Sequence, residues 1–228
     1  MNTGIQDRVG ARLAAAVSEG ERHTSPFQHW QLSDVFPREV VARMLALPVA
    51  PPAIDCAQGT RESNNSTRVF FDPTLRQQYA VCAEVAAGFQ DPAVVAAMER
   101  RFGVALEGCF LRLEYAQDTE GFWLARHTDI RVKRVTLLVY LSPEPQAADF
   151  GTDLYDGNGT HVARVPFVSN VGLAFVPGND TWHGFEKRPM PVVRRTLIMN
   201  YVTAAWRDRF ELAYPEAPVS SARRSGEA

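Results

Sequence analysis

The sequence has few cysteines and no long hydrophobic run. Its three cysteines, Cys56, Cys82 and Cys109, are widely spaced and odd in number, which argues against a disulfide framework and against a CxxC metal or redox motif. No segment approaches the ~18 apolar residues of a membrane span, and the N-terminus lacks the apolar core of a signal peptide. We therefore expect a protein of a reducing, cytoplasmic compartment, with no membrane partner.

The sequence also lacks an excess of charge of either sign. Its 24 Lys and Arg residues nearly balance 26 Asp and Glu residues, which gives a formal net charge of −2. A balanced charge gives no indication of a nucleic-acid partner. With 228 residues, of which 46% are hydrophobic, the chain is long enough to bury a sizeable core.

The first hundred residues have mostly helical patterns. In the segment 6–18, Val9, Leu13 and Val17 fall on one helical face. Proline at a first helical turn and the Asp-Pro pairs at 72–73 and 91–92 indicate helix starts. Further helices are predicted over these segments: 37–47, 72–88 and 91–102.

From residue 104 the hydrophobic period changes towards two, which is typical of strands. A short strand is predicted at 68–71, and at least seven follow: 110–115, 122–127, 134–141, 150–155, 160–165, 171–176 and 193–203. Many short strands separated by turn signals suggest a sandwich or barrel. We expect a mainly β protein with flanking helices. The helical segment 1–103 would pack on a β core at 104–214, and 215–228 would form a disordered tail.

The most informative residues are two histidines and an aspartate. His127 and Asp129 are two positions apart, so on a strand they would point to one face. His183 follows the turn at 177–180 and would reach the same place from a later strand. Two imidazoles and one carboxylate form the facial triad that holds non-haem Fe(II) and leaves coordination positions open. The other histidines are weaker candidates, because His23 and His29 lack a carboxylate two residues on and His161 reads as a solvated strand residue.

Around these residues the chain resembles the Fe(II)/2-oxoglutarate dioxygenases, in particular their prolyl-4-hydroxylase-like branch. The resemblance covers about 110–201. Residues 126–129 (Arg-His-Thr-Asp) match the first ligand motif, 134–142 resemble the following core strand, and 173–177 with 182–184 resemble the distal-ligand segment. Residues 150–155 depart from the usual Gly-Gly-x-Leu by carrying Phe150. The resemblance implies a double-stranded β-helix core, a jelly roll like that of the cupins.

The resemblance also implies a basic residue on the last core strand that binds the distal carboxylate of 2-oxoglutarate. Arg194 and Arg195 both qualify and point to opposite faces, and Arg194 is followed two residues later by Thr196, whose hydroxyl would reach the same carboxylate. The planar guanidinium suits a carboxylate. Tyr140 and Tyr115 are the implied hydroxyl donors to the co-substrate.

The implied activity is hydroxylation of an unactivated C–H bond of a small molecule, amino acid or peptidyl side chain. Fe(II), 2-oxoglutarate and O2 are the implied cofactor and co-substrates, and succinate and CO2 the by-products. Two alternatives stay open. One is a cupin-type dioxygenase or isomerase that needs no 2-oxoglutarate, and the other is a catalytically silent binding or scaffold protein.

Several features are left open by the sequence. The polar segment 49–68 reads as a long loop, either a lid over the site or a solvated loop. Residues 118–122 are expected to form another rim of the site, and Trp123 either lines the pocket or packs in the core. The primary substrate and the oligomeric state, a homodimer included, are not fixed by any motif.

Overall fold

The computed structural model describes residues 3–52, 59–60 and 68–221. Its helices are α1 (Thr3–Glu19), α2 (Arg38–Leu45), α3 (Pro73–Gln78), α4 (Ala80–Gln90) and α5 (Pro92–Phe102). Its strands are β1 (Glu21–His23), β2 (His29–Leu32), β3 (Val69–Phe70), β4 (Phe110–Asp118), β5 (Leu124–His127), β6 (Lys133–Tyr140), β7 (Asp153–Tyr155), β8 (His161–Arg164), β9 (Gly172–Phe175), β10 (His183–Phe185) and β11 (Arg194–Val202). Most of the predicted loop at 49–68 therefore lies outside the described residues.

The helices begin and end where the sequence provides caps. The Asp72 and Asp91 side chains accept hydrogen bonds from Leu75 N and Ala93 N, and each precedes a proline in the first turn. Gly103 ends α5 in the left-handed conformation that favours glycine, at φ 68°. The single helix predicted over 72–88 is wrong in one respect, because Tyr79 has extended backbone angles and divides it into α3 and α4.

The strands form two antiparallel sheets. The larger has seven strands in the order β1-β2-β9-β6-β11-β4-β3, and the smaller has four in the order β5-β10-β7-β8. In both sheets, neighbours in space are mostly distant in sequence, as the double-stranded β-helix requires. The predicted mainly β architecture with flanking helices is confirmed.

The larger sheet separates two hydrophobic clusters. On one face the helices pack against alternate strand residues, including Leu113, Val139 and Leu197, all 0% exposed. The opposite face meets the smaller sheet through Leu138, Ile198 and their neighbours. Since successive strand residues point to opposite faces, each long strand contributes to both clusters. We call these the helix-facing side and the barrel interior.

Two sequence expectations need correction. The first hundred residues contain β1 and β2, which extend the larger sheet and were not predicted. Residues 215–221, expected to belong to a disordered tail, pack on the protein: Val219 is 1% exposed, and its amide donates to the Cys109 carbonyl. Residues 222–228 lie outside the described part of the chain. No single helix among the described residues is long and apolar enough to span a membrane, and α4 and α5 reach that threshold only together, across a 54° bend.

Candidate metal centre

Strand pairing in the smaller sheet brings the two predicted histidine ligands together. β5 and β10 are antiparallel neighbours, and His127 lies directly opposite His183 in their register. Gly184 permits this approach, because a Cβ there would lie 2.8 Å from the Leu124 carbonyl oxygen and 3.1 Å from the Arg126 backbone. Asp129 lies two residues beyond the end of β5. Ligand atoms of His127, Asp129 and His183 all lie within 4.8 Å of one another.

Both imidazoles are held in the tautomer that a metal needs. Nδ1 of His127 lies 2.9 Å from the Ala125 carbonyl oxygen, and Nδ1 of His183 lies 2.9 Å from that of Thr181. A carbonyl only accepts hydrogen bonds, so Nδ1 carries the proton and the lone pair is on Nε2. Burial, and then the neighbouring His127, lower the pKa of His183 to about 4. His183 therefore presents a neutral nitrogen ligand near pH 7.

Asp129 is a buried carboxylate that stays ionised. Burial by itself would raise its pKa, but Lys133, His183 and hydrogen bonds from Lys133 and Thr136 outweigh burial, so that the pKa lies well below its ordinary value. Lys133 Nζ lies 2.6 Å from Oδ1, and Thr136 Oγ1 donates to Oδ2 at 2.6 Å. Two imidazoles and one ionised carboxylate are a donor set that fits Fe(II) or a related divalent ion.

The three residues line a cavity of about 610 Å³ that opens between the two sheets. Such a volume is ordinary for a ligand site and exceeds what one small dicarboxylate needs. The deep end contains Arg194 and Thr152. The outer end is lined by aromatic rings and charged groups, among them Phe70, Trp206 and the 68% exposed Phe210.

Arg194 projects into the barrel interior from the first residue of β11. It is 2% exposed, and two hydrogen bonds fix its guanidinium: Nε donates to the Phe150 carbonyl at 2.8 Å, and Nη1 to Asp118 Oδ2 at 2.6 Å. Nη2 makes no hydrogen bond with the described residues. Thr196, on the same face, is 0% exposed, and its hydroxyl has no partner within the described part of the chain. An unsatisfied buried hydroxyl beside a fixed arginine fits the distal carboxylate of a dicarboxylate ligand.

Three solved structures share this arrangement of sheets and helices. A prolyl-4-hydroxylase from Pseudomonas putida is 18% identical, with a TM-score of 0.55, over 86% of this chain and 93% of that one. A prolyl hydroxylase from Trichoplax adhaerens, in complex with a hypoxia-inducible factor peptide fragment, is 14% identical, with a TM-score of 0.58, over 86% and 90%. HygX from Streptomyces hygroscopicus, with nickel and 2-oxoglutarate bound, is 16% identical, with a TM-score of 0.50, over 78% and 84%.

This chain has the fold of the 2-oxoglutarate-dependent oxygenases. At these identities the similarity concerns the fold and not the reaction. No protein-family model and no curated protein sequence matches the chain. Within this oxygenase fold, the roles of individual residues must therefore be argued from the geometry of the site.

The oxygenase fold does not bring every predicted co-substrate residue to the cavity. Arg195 and Tyr115 lie on the helix-facing side of the larger sheet, where burial raises the pKa of Tyr115 to about 12 and the Arg195 side chain hydrogen-bonds with it. Neither faces the metal ligands, because both are one residue out of phase with the interior positions of their strands. Tyr140 does face the barrel interior, and its hydroxyl donates to Thr152 Oγ1 at 2.9 Å. Tyr140 therefore reaches the cavity through Thr152.

The structure describes only part of the segments that were predicted to form the rim of the site. Gly59, Thr60 and Arg68, from the predicted loop at 49–68, line the cavity, whereas residues 53–58 and 61–67 lie outside the described part of the chain. Phe122 also lines it. The half-buried Trp123 packs over Gly59 and is not part of the cavity wall.

The remaining histidines have partners outside this cluster, and His161, expected to be a solvated strand residue, lies against a buried aspartate. His23 and His29 stack on each other with ring centroids 5.0 Å apart. His161 Nε2 lies 3.1 Å from Asp153 Oδ1. Asp153, His161 and Glu186 are close enough to hold an ion, but Arg164 and Arg188 already pair with Asp153, which disfavours a cation there.

Sequence reasoning did not find several residues that shape the site. Lys133 and Thr136 contact Asp129 directly, and Asn200 and Arg112 lie beneath them in the barrel interior. Asp118, which holds Arg194, belongs to the predicted rim at 118–122, but its contact with Arg194 was not predicted. One signal was present. Asn200 is a polar residue within the otherwise apolar run Leu197–Val202 and shares the phase of Arg194 and Thr196. A polar residue on a buried strand face is a candidate for a role at the site.

Proposed function

We propose that this protein is an Fe(II)- and 2-oxoglutarate-dependent oxygenase. One observation carries the proposal: the His127, Asp129 and His183 ligand atoms cluster on the wall of a cavity whose deep end holds the fixed, buried Arg194. The shared fold supports it. A metal-binding cluster alone would fit many activities, but a metal cluster with a carboxylate-binding arginine in the same cavity fits a dicarboxylate co-substrate.

The described residues have separable tasks in this proposal. His127, Asp129 and His183 would hold the metal, which when bound supplies O2 activation coupled to the decarboxylation of 2-oxoglutarate to succinate. Arg194 Nη2 and the Thr196 hydroxyl would bind the distal carboxylate, and the guanidinium would remain shared with Asp118. Phe185 packs against Arg194, with its ring centroid 4.9 Å from the guanidinium carbon, and helps to exclude water.

The proposed reaction is hydroxylation. Asp129 retains the carboxylate in the ligand set, which leaves no ligand position vacant for halide, so hydroxylation is favoured over halogenation. The substrate would be a small molecule, an amino acid or a peptidyl side chain that enters past Phe70, Trp206 and Phe210. A cytoplasmic location is part of the proposal, since Cys82 and Cys109 are free and buried. The net charge of −2 gives no support to a nucleic-acid partner, and a homodimer remains a prediction.

The test is succinate formation by the purified protein supplied with Fe(II), 2-oxoglutarate and O2. Turnover without the primary substrate is expected to be slow, and it should fall at least ~100-fold in His127→Ala and in Asp129→Ala because a ligand is lost. His161→Ala is the matched control, since His161 contacts Asp153 and not the cluster. Succinate formation unaffected by both ligand substitutions would contradict the proposal. So would metal-dependent turnover that needs no 2-oxoglutarate, which is the cupin-type alternative.

A further inference from the structure

A chain of buried polar side chains leads away from the Asp129 carboxylate across the larger sheet. Thr136 Oγ1 lies 2.6 Å from Asp129 Oδ2, Asn200 Nδ2 lies 2.9 Å from Thr136 Oγ1, and Arg112 Nη1 lies 3.0 Å from Asn200 Oδ1. Thr136, Asn200 and Arg112 are register neighbours on β6, β11 and β4. None is more than 3% exposed. Solvent therefore has little access to these bonds.

The direction of each hydrogen bond in this chain follows from the arginine. A guanidinium only donates, so the side-chain oxygen of Asn200 must face Arg112 and its amino group must face Thr136. The Thr136 hydroxyl then accepts from Asn200, and its single hydrogen is left for Asp129 Oδ2. The carboxylate accepts, as an ionised group must. Arg112 thus fixes which group donates in each hydrogen bond of this series, and the last acceptor is the candidate metal ligand Asp129.

Arg112 is itself fixed. Its Nε donates to Glu211 Oε2 at 2.5 Å and its Nη2 to Glu114 Oε2 at 2.9 Å. With Asn200 as the third partner, the guanidinium has carboxylate or amide oxygens on three of its nitrogens. Rotation of the side chain would break several charge-assisted hydrogen bonds at once. The series of hydrogen bonds that ends at Asp129 therefore starts from a rigid donor, the Arg112 guanidinium.

The two oxygens of Asp129 are held differently. Oδ2 accepts from Thr136, whose side chain is short, buried and β-branched. Oδ1 accepts from Lys133, whose long side chain is 17% exposed. A flexible ammonium can leave more easily than the Thr136 hydroxyl. Oδ1 is therefore the oxygen that can exchange its partner for a metal ion, while Oδ2 remains anchored.

We propose that Thr136 and Asn200 are positioning residues, whose hydrogen bonds, directed by Arg112, hold the Asp129 carboxylate in the orientation that binds metal through one oxygen. The inference rests on the proposed function, because it concerns the same metal site. Hydrogen bonds to metal ligands of this kind orient the ligand, and their loss lowers metal affinity about 10–100-fold. In the sequence Asn200 stands out only as a polar residue in an apolar run, and nothing marks Thr136.

The test measures Co(II) affinity and the visible spectrum of bound Co(II) with metal-free protein, and so does not depend on turnover. Thr136→Val removes the donor, and Asn200→Asp keeps the Arg112 contact but makes Asp129 compete with a second carboxylate for the one hydroxyl hydrogen. We expect each to weaken Co(II) binding about tenfold or more and to alter the Co(II) spectrum. Thr136→Ser keeps the hydroxyl and should stay within about twofold of the unsubstituted protein. Thr119→Val is the control, because its hydroxyl donates to the Pro52 carbonyl and takes no part in the hydrogen bonds that link Arg112 to Asp129.

Thermal unfolding of the metal-free variants separates positioning from a purely structural role. A structural role predicts a lower melting temperature with unchanged Co(II) affinity and spectrum in the folded fraction, and that result would overturn the inference. So would equal loss of affinity in Thr136→Ser and Thr136→Val. If the unsubstituted protein binds no Co(II), the proposed function fails and the inference fails with it. Strong binding that is indifferent to both substitutions refutes only the positioning roles.

Discussion

The two faces of the larger sheet are built from the same strands and have opposite chemistry. The helix-facing side is a dry cluster to which β11 contributes Leu197, Met199 and Tyr201. The barrel interior receives the alternate residues of that strand, Arg194, Thr196, Ile198 and Asn200, three of which are polar and buried. One face stabilises the fold by excluding water, whereas the other keeps polar groups buried where hydrogen bonds or a ligand can satisfy them.

This difference indicates that stability and the proposed activity can be separated within one strand. Neighbouring positions should respond to substitution in different measurements, although they are equally buried. The smaller sheet extends the comparison, because its outward side carries the buried Asp153 while Leu154 faces the barrel interior. Substitutions at matched positions therefore test whether the two faces differ in this way.

The sharpest contrast is between Leu197 and Thr196, both 0% exposed. Leu197→Ala should lower the free energy of unfolding by about 3 kcal/mol, because it leaves a cavity in a packed apolar cluster. Thr196→Val should change it by less than about 0.5 kcal/mol, because the lost hydroxyl has no partner among the described residues. Urea unfolding measures both. Equal costs would show that the two faces do not differ in this way.

Asp153 tests whether an ionic cluster stabilises the smaller sheet. Burial by itself would raise its pKa, but hydrogen bonds from the Glu186 amide and Arg164, with the charges of Arg188 and Arg164, lower it below the ordinary value. A lowered folded-state pKa gives stability that is present above the unfolded value of about 3.9 and is lost as pH falls through the folded pKa. Asp153→Asn should therefore cost about 2 kcal/mol at pH 7, with a smaller cost below pH ~4.

Unfolding measured between pH 7 and pH 3 checks this prediction. Asp149→Asn is the control, because Asp149 pairs with the same Arg164 from an 85% exposed side chain and should have little effect at either pH. A difference between Asp153→Asn and the unsubstituted protein that stays constant over this range would show that the ionised carboxylate is not the stabilising form.

Substitution of the adjacent Arg194 and Arg195 tests which face of the larger sheet binds 2-oxoglutarate. Arg194→Lys should weaken 2-oxoglutarate binding by about 30-fold, because an ammonium cannot keep the Phe150 and Asp118 contacts while also binding the distal carboxylate. Arg195→Lys should stay within about twofold, since its side chain lies on the other face. Calorimetric titration of 2-oxoglutarate into metal-loaded protein measures both. The reverse ranking would move the proposed co-substrate site to the helix-facing side.

Lys133 gives the smallest expected effect. Its ammonium neutralises Asp129 Oδ1, the oxygen we expect a metal to use, and therefore competes with a divalent cation. Lys133→Met should tighten Co(II) binding by about fivefold. Arg134→Met removes the same charge from an exposed neighbouring side chain, and equal tightening there would mean that overall charge and not contact with Asp129 is responsible.

Much of the architecture could be predicted because it depends on local patterns. Aspartate caps and prolines place α3 and α5, and period-two alternation places β4, β6 and β11. β1 and β2 were missed because three or four residues are too few to show a period, and their pairing partners lie far along the chain. The break at Tyr79 was missed because its neighbours all favour helix.

The candidate site shows the same division. His127, Asp129 and His183 could be grouped from the sequence because their residue types and order are specific, and the fold brings them together. Asn200 stands out as a polar residue in an apolar run, but its hydrogen bonds to Arg112 and Thr136 could not be predicted. In β4 a charged face alternates with an apolar face, and such a charged face normally faces solvent.

Which residues share a face follows from the order of residues along each strand, since alternation is a property of the backbone. Which face is enclosed depends on long-range packing between the two sheets. The smaller sheet covers one face of β4, β6 and β11, so Arg194 and Thr196 are buried on that side, with Arg194 lining the cavity, while Arg195 and Tyr115 pack on the helix-facing side. Alternation assigns residues to two sides, and the position of a distant sheet determines what each side meets.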